Sequence, residues 1–250
     1  MPKPLEGKVA LVTGGSRGLG AATARTLADA GADVAITYLG SADKAAAVVA
    51  GLQAQGVRAA AIRADQADTT QAAPLIEEVV ATLGGLDILV NNAAIAVQGW
   101  TIDDPSADLA ALDRMHATNY TGVVAIIRAA ARVLRADGRI INIGSGVGSR
   151  VGLPGLADYA ATKAGLIGYT KGAARDLAPR GITVNIVQAG LMQTGMEPPS
   201  PQALEQMVAA LSIKRVSDPA ETAAVIAFLA SPAASYVTGA VLDVNGGYTA

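Results

Sequence analysis

The feature that most constrains this chain is an alternation, kept up from end to end, of short aliphatic runs and longer stretches of helical character. Val9–Thr13 is a continuous aliphatic run stopped by Gly14-Gly15, the pattern of a strand covered on both faces of a parallel sheet. Leu19–Ala30 reads as a helix closed by Gly31. The same alternation continues through Asp33–Tyr38, Ser41–Gln55, Val57–Ala64, Thr69–Leu83 and Leu86–Val90. A long helical stretch over Ala107–Arg135 follows, then Gly138–Ile143, Ala157–Ala178 and Ile182–Val187. After an irregular Gly/Met/Pro segment, Ala189–Pro201, come helical Gln202–Leu211 and Pro219–Ala230 and a last strand, Ala240–Val244. About seven strands alternating with helices specify an α/β fold with a doubly wound parallel sheet, because right-handed crossovers place helices on both faces. No linker, charge run or low-complexity tract divides the 250 residues, so a single domain over 1–250 is expected.

Composition narrows the chemistry. There is no cysteine and the one histidine is His116, which excludes disulfides, thiolate zinc sites, cysteine nucleophiles and multi-histidine metal centres. A net charge of −2 gives no electrostatic case for a nucleic-acid partner. Met1 to Lys8 has no apolar targeting core, and no apolar window reaches the roughly 18 residues of a membrane span, so a cytoplasmic protein is expected. With aromatics at only 3%, the core must be built from Ala, Val, Leu and Ile. Chemistry is left to Tyr, Lys, Ser, Asn, Asp or a bound cofactor.

TGGSRGLG, Thr13 to Gly20, lies directly between the first strand and the first helix. In such a sheet this turn sits where strand order reverses, and the free amides at the helix N-terminus favour a pyrophosphate. Gly14 permits the tight turn, Gly18 the close approach of phosphate and Gly20 close packing of helix on strand. The spacing is G-x-x-x-G-x-G, and Ala21-Ala22 replace the Lys-Ser/Thr ending of a triphosphate loop. The second strand ends in Tyr38, followed by Leu39, Gly40 and Ser41, with no carboxylate to take a ribose diol. Arg17 stands in the glycine loop, where it meets a 2′-phosphate; Ser41 and Lys44 are weaker candidates. A charge-assisted hydrogen bond of about 1.5–3 kcal/mol corresponds to roughly a 10- to 100-fold preference, so NADP(H) is favoured over NAD(H).

Tyr159 and Lys163 in YAATK stand one helical turn apart on a shared face, and no other Y-x-x-x-K occurs in the chain. An exposed Tyr–Lys pair is the commoner meaning of that spacing. Two further residues change the weighting. Ser145 follows the strand Gly138–Ile143, at the edge where open parallel sheets place their ligand crevice. Asn119 lies inside a helical stretch, a poor place for Asn without a cap or a function.

From end to end the chain resembles a single-domain short-chain dehydrogenase/reductase, close to the ketoreductase and 3-oxoacyl-carrier-protein reductase members. The resemblance rests on TGGSRGLG, Asp65, NNAA at Asn91–Ala94, Asn119, Ser145, YAATK and the Gly190-to-Thr194 segment. It implies a Rossmann-type NAD(P)-binding domain with a substrate loop over about 189–212. It also implies an NADPH-dependent oxidoreductase, a carbonyl reductase or alcohol dehydrogenase interconverting a ketone or aldehyde and its alcohol. Tyr159 is then the proton donor and Lys163 lowers its pKa and holds the nicotinamide ribose. Ser145 bonds the oxyanion, and Asn119 anchors a water relay. On the cofactor the resemblance places Ser16, Arg17 and Leu19 with the three loop glycines, Tyr38, Ser41, Gln66 and Ala93. Asp65 is placed on the adenine, Asn91 on the adenosine side, Gly190 and Leu191 nearby, and Thr194 on the carboxamide.

Two departures from the family pattern concern pocket shape: Ala94 stands where Gly is usual, and Ala189-Gly190 where Pro-Gly is usual, which is expected to loosen the following segment. Ile95, Val97, Val147, Leu153, Leu191, Met192 and Met196 are the expected substrate lining, all apolar, favouring an uncharged carbonyl compound. A 3-oxoacyl thioester is the second substrate reading, with Arg135 and Arg180 as candidate docking residues for an acidic carrier protein. His116 is expected only to pack. The small-residue face Ala160, Ala164, Gly168 and Gly172 implies, by the resemblance, a homotetramer or homodimer. IINIGS, RDLAPRGITVN and FLASPAASYVTGA also resemble biofilm-dispersal proteins of this fold, which implies as a further alternative a cyclic-dinucleotide binder without turnover.

Overall fold

The structure, a computed structural model, describes residues 3–195 and 200–250. Seven parallel strands form one sheet: β1 (Val9–Val12), β2 (Asp33–Tyr38), β3 (Ala59–Arg63), β4 (Ile88–Asn91), β5 (Arg139–Ile143), β6 (Thr183–Ala189) and β7 (Val241–Val244). Their order is β3-β2-β1-β4-β5-β6-β7, so the chain reverses direction across the sheet between β1 and β4. Helices α1 (Gly18–Asp29), α2 (Ala42–Ala54), α3 (Ala72–Leu83), α4 (Leu109–His116), α5 (Gly122–Val133), α6 (Ala157–Leu177), α7 (Pro201–Ala209) and α8 (Pro219–Ala230) complete the fold.

The continuous aliphatic runs of β1 and β4 are buried at every position, as a sheet covered on both faces requires. On one face Val12, Ile36, Val90 and Ile141 pack with Leu27, Val48 and Ile226 of α1, α2 and α8. On the other, Leu11, Leu89, Ile140 and Val184 pack with Ile76, Ile127 and Leu166 of α3, α5 and α6. Ala fills much of both interfaces, which lets helices sit close with almost no aromatic volume available.

The expected single helix over Ala107–Arg135 is three pieces. Asp108 caps α4 by accepting from Ala111 N at 3.0 Å. A π-helical turn, Ala117–Thr121, then interrupts the helix before α5. It is accommodated by Gly122, where any Cβ would collide with the Gln66 carbonyl oxygen. A sequence pattern of period 3.6 does not reveal one extra residue in a turn, and π turns gather at functional sites.

The edge of the sheet where the strands begin is stapled by charge. Asp87, buried before β4, accepts from Val9 N (2.9 Å), Arg135 Nη1 (2.9 Å) and Lys8 Nζ (3.4 Å). Arg135 also holds the Gly84 carbonyl oxygen, and Arg180 donates to the carbonyl oxygens of Ala131 and Leu134. Both arginines are therefore structural and lie at the edge opposite the strand ends, which corrects their expected use in docking a carrier protein. Among the described residues no helix is long and apolar enough to cross a membrane.

Candidate active site

The site forms at the other edge, where the strands end. Thr13 follows β1, and its Oγ1 accepts from the backbone N–H groups of Asn92 and Ala93, each at 3.0 Å, beyond β4. The Asn92 carboxamide returns two donations, to Thr13 O (2.9 Å) and Gly14 O (3.2 Å). Thr37 of β2 takes the Gly14 amide on its hydroxyl at 3.0 Å, and its carbonyl oxygen takes the Gly15 amide at 2.9 Å. Three strand ends thus hold the glycine loop rigid across the point where strand order reverses.

The cradle is shaped for a close ligand. Gly14 and Gly18 sit at φ 66° and 52°. A Cβ at Gly20 would collide with the Gly14 carbonyl oxygen and the Asn92 amide, and one at Gly18 would stand 3.0 Å from Thr194. Arg17 precedes α1 in extended conformation and its side chain does not cap the helix. The first-turn amides therefore keep donors for an anion. Arg17 itself is exposed and forms no ion pair among the described residues. Tyr38 ends β2 and packs on the core, while Ser41 precedes α2 without capping it through its side chain. Arg63, opposite Tyr38 in the β2–β3 register, adds a cation at this end, its Nε donating to Leu39 O at 3.2 Å.

The reacting groups lie beyond β5. Ser145 begins a short 3₁₀ turn, and its Oγ accepts from Val147 N at 3.3 Å. Its hydroxyl faces Tyr159 on α6, near enough to act on the phenol as a hydrogen-bonding neighbour that lowers it. Lys163, one turn along α6, is buried at 3% exposure, and its Nζ donates to the Ile143 carbonyl oxygen at 3.0 Å while standing 5.8 Å from the Tyr159 ring centre. Burial drives the lysine down to about 8. Burial also raises Tyr159, with the Ser145 hydroxyl pulling the other way. Desolvation of the phenolate is the larger of the two causes, so Tyr159 without bound cofactor is displaced upward.

Asn119 sits in the π turn with its carboxamide spent on residue 95: Oδ1 accepts from Ile95 N (2.9 Å) and Nδ2 donates to Ile95 O (2.8 Å) and, more weakly, to Thr162 Oγ1 (3.4 Å). The side chain therefore clamps the wall after β4 to α6.

A glycine cradle at the reversal point, with Ser, Tyr and a buried Lys converging beside it, is matched by the comparisons with known proteins. A family-wide sequence description named Enoyl-(Acyl carrier protein) reductase matches residues 14–249. A solved short-chain dehydrogenase from Burkholderia cenocepacia, in complex with NADP, is 47% identical and superposes with a TM-score of 0.94 over 99% of this chain and all of its own. The chain belongs to the short-chain dehydrogenase/reductase family. It is an oxidoreductase fold throughout its length. The 3-oxoacyl-(acyl-carrier-protein) reductase FabG of Staphylococcus aureus is 45% identical over 243 residues, 96% of this chain and 97% of that one. A cyclic-di-GMP-binding biofilm dispersal mediator protein of Escherichia coli is 40% identical over 244 residues, 98% of each chain.

Other residues expected at the site of this short-chain dehydrogenase/reductase are distributed as follows. Asp65 is held by Arg114 Nη2, 3.0 Å from both carboxylate oxygens. Gln66 Nε2 bridges the Ala93 and Thr118 carbonyl oxygens at 2.8 Å each, tying the β3 end to the NNAA segment and the π turn. Asn91 points into the sheet, donating to Asn142 Oδ1 at 2.9 Å, and its neighbour Asn92 closes the glycine loop instead. Ala189 ends β6 opposite Val244, and Gly190 N donates to Val244 O at 3.0 Å. Leu191 then pairs with Ser217 and lines a cleft of about 460 Å³ with Leu211, Ile213 and the C-terminal residues.

Of the expected substrate lining, Ile95, Val97 and Val147 are half-buried around the site loops, whereas Leu153 is 52% exposed. Met192 packs on the α1/α2/α8 core, and Met196 lies outside the described residues. Thr194 comes back over Gly18. Thr37 and Arg63 carried no signal in a linear reading, and Asn92 stood there only as part of NNAA. Their importance lies in strand ends that only the sheet order brings together.

Proposed function

We propose that the protein is an NADP(H)-dependent reductase that converts a carbonyl compound, a ketone or aldehyde, to its alcohol. The observation that carries this is the convergence of Ser145, Tyr159 and buried Lys163 at the strand ends beside a cradle that excludes side chains at Gly18 and Gly20. The B. cenocepacia relative bound to NADP supports the cofactor choice, as does Arg17, a cation at the uncapped start of α1 with no ion pair among the described residues.

When bound, the reduced dinucleotide supplies the hydride that adds to the carbonyl carbon. The uncapped first-turn amides of α1, from Gly18 to Gly20, would hold the pyrophosphate, and Arg17 would meet the 2′-phosphate. Thr194, Asp65 and Ala93 would contact the remainder of the cofactor. Tyr159, raised by burial, keeps its proton at neutral pH and delivers it from Oη to the carbonyl oxygen. Ser145 Oγ donates to the same oxygen as charge develops there. Lys163, at about 8, is cationic at neutral pH and stabilises the phenolate left behind. Asn119 holds the facing wall in place through Ile95.

A 3-oxoacyl thioester is the second substrate reading, favoured by 45% identity to the S. aureus FabG. A cyclic-dinucleotide binder without turnover has the E. coli dispersal mediator in its favour, but it gives no use to Tyr159, Ser145 and Lys163 together. The exposed small-residue stripe Ala164, Gly168 and Gly172 on α6 supports a homo-oligomer.

The test follows NADPH and NADH consumption against ketones, aldehydes and a 3-oxoacyl thioester, for the wild type and Tyr159→Phe. Loss of general acid catalysis is expected to cost roughly 100- to 10,000-fold in turnover. Undiminished turnover in the folded variant refutes the mechanism. Silence of the wild type with both cofactors directs attention to cyclic-dinucleotide binding.

A further inference from the structure

The polypeptide after β7 turns back over the catalytic edge of the sheet. Asn245 organises the turn: its Nδ2 donates to Asp243 Oδ1 (3.1 Å) and Thr249 Oγ1 (3.0 Å), and its Oδ1 accepts from Tyr248 N (3.2 Å). Gly246 and Gly247, at φ 64° and 78°, make the reversal possible. The turn lays Tyr248 onto the loop that begins at Ser145.

Tyr248 meets that loop at three places. Its Oη accepts from Gly152 N at 3.1 Å. Its ring edge lies against Gly146, where a Cβ would stand 2.9 Å from Cδ1. The Arg150 guanidinium sits 5.8 Å from the ring centre and donates to the Tyr248 carbonyl oxygen at 2.9 Å. The loop, Gly146-Val-Gly-Ser-Arg-Val-Gly152, contains three glycines and has little conformational preference of its own. Its start is pinned elsewhere, by Gly148 packed against the backbone of Lys163 and by Gln188 Nε2 donating to Ser149 Oγ at 3.0 Å. From Arg150 onward the anchoring shifts to the C-terminal turn. This stretch leads directly to Leu153 and to Gly155, whose carbonyl oxygen accepts from Gly99 N at 3.0 Å in the opposite wall.

We infer that Tyr248 is a specificity-determining positioning residue: by bracing residues 146–152 it sets how large a group the carbonyl substrate can carry past Ser145. This rests on the carbonyl-reductase reading above. Tyr248 touches no reacting atom in this scheme; it acts through the loop.

The experiment compares the full-length wild type with Tyr248→Phe, which keeps the ring and removes the acceptor, and Tyr248→Ala, which removes both. Tyr236→Phe, at a fully exposed position, is the control. Two readouts are taken: amide hydrogen exchange of residues 146–153 in the protein alone, and the ratio of kcat/KM for a long-chain and a short-chain ketone. Loss of one neutral hydrogen bond corresponds to about a fivefold change. Tyr248→Phe is therefore expected to speed exchange at Gly152 and shift the selectivity ratio by about that factor, chiefly through KM. Tyr248→Ala shifts both further, and if it does not fold the isosteric Phe variant carries the test. Unchanged exchange overturns the brace. Faster exchange with wild-type turnover and an unmoved ratio overturns the specificity role alone. A wild type that turns over neither ketone removes the carbonyl-reductase reading and the specificity role with it, while the exchange result still reports on the brace.

Discussion

Replacing Lys163 by Met tests whether the fold holds a charge against its solvation preference. Burial pushes this lysine from an ordinary value near 10.5 to about 8, with no compensating carboxylate among the causes. At pH 7 both folded and unfolded chains bind the proton, so the full penalty, about 3 kcal/mol at 1.36 kcal/mol per unit, weighs on the folded state. Between about 8 and 10.5 the unfolded chain binds more protons than the folded one, so stability rises with pH; above 10.5 the penalty is gone. Integrating the linkage to about pH 9.5 gives a gain of about 2 kcal/mol over pH 7. Tyr159 is displaced upward and acts only above its ordinary value near 10, outside this window. Urea unfolding at a series of pH values is the assay, reading the difference between wild type and Lys163→Met so that shared titrations cancel. The variant leaves the Ile143 carbonyl oxygen without its donor, which lowers its curve uniformly by about 1–3 kcal/mol. The expected signature is therefore slope: the wild type gains relative to the variant across pH 7–9.5 while activity is lost in the variant. Parallel curves refute the claim that Lys163 is held by desolvation.

Other outcomes are expected at separate points. Ser145→Ala removes the donor to the oxyanion and the hydroxyl facing Tyr159, and should lower kcat about 100- to 1000-fold with little change in KM, read by steady-state kinetics. Arg17→Ala should reduce the NADPH-over-NADH preference roughly 10- to 100-fold, measured as the ratio of the two kcat/KM values; an unmoved ratio transfers that role to another group, with Arg63 the nearest candidate by register. Asp87→Ala strands the buried Val9 amide and should destabilise the fold by about 2–3 kcal/mol in denaturant melts without altering KM, since it lies at the far edge of the sheet.

Much of this protein is legible along the chain because its signals are local. Aliphatic runs such as Val9–Val12 and Ile88–Asn91 specify buried strands on their own, and TGGSRGLG between a strand and a helix specifies an anion cradle wherever the rest of the chain goes. The Tyr159–Lys163 spacing likewise needs nothing beyond the helix that carries it. What tertiary structure alone decided depends on groups distant in sequence. The π turn under Asn119 is followed by Gly122, which abuts Gln66 from another βα unit. Thr37 and Asn92 become loop supports only through the strand order that sets β2 and β4 beside β1. Arg135 and Arg180, plausible cleft cations in a linear reading, are placed at the opposite edge by the same topology. The direction of the Tyr159 shift is a matter of burial, which residue identity does not carry. Local pattern chose the elements and the reacting groups; long-range packing chose their protonation and which loop each partner supports, because desolvation and close contact are properties of the assembled interior.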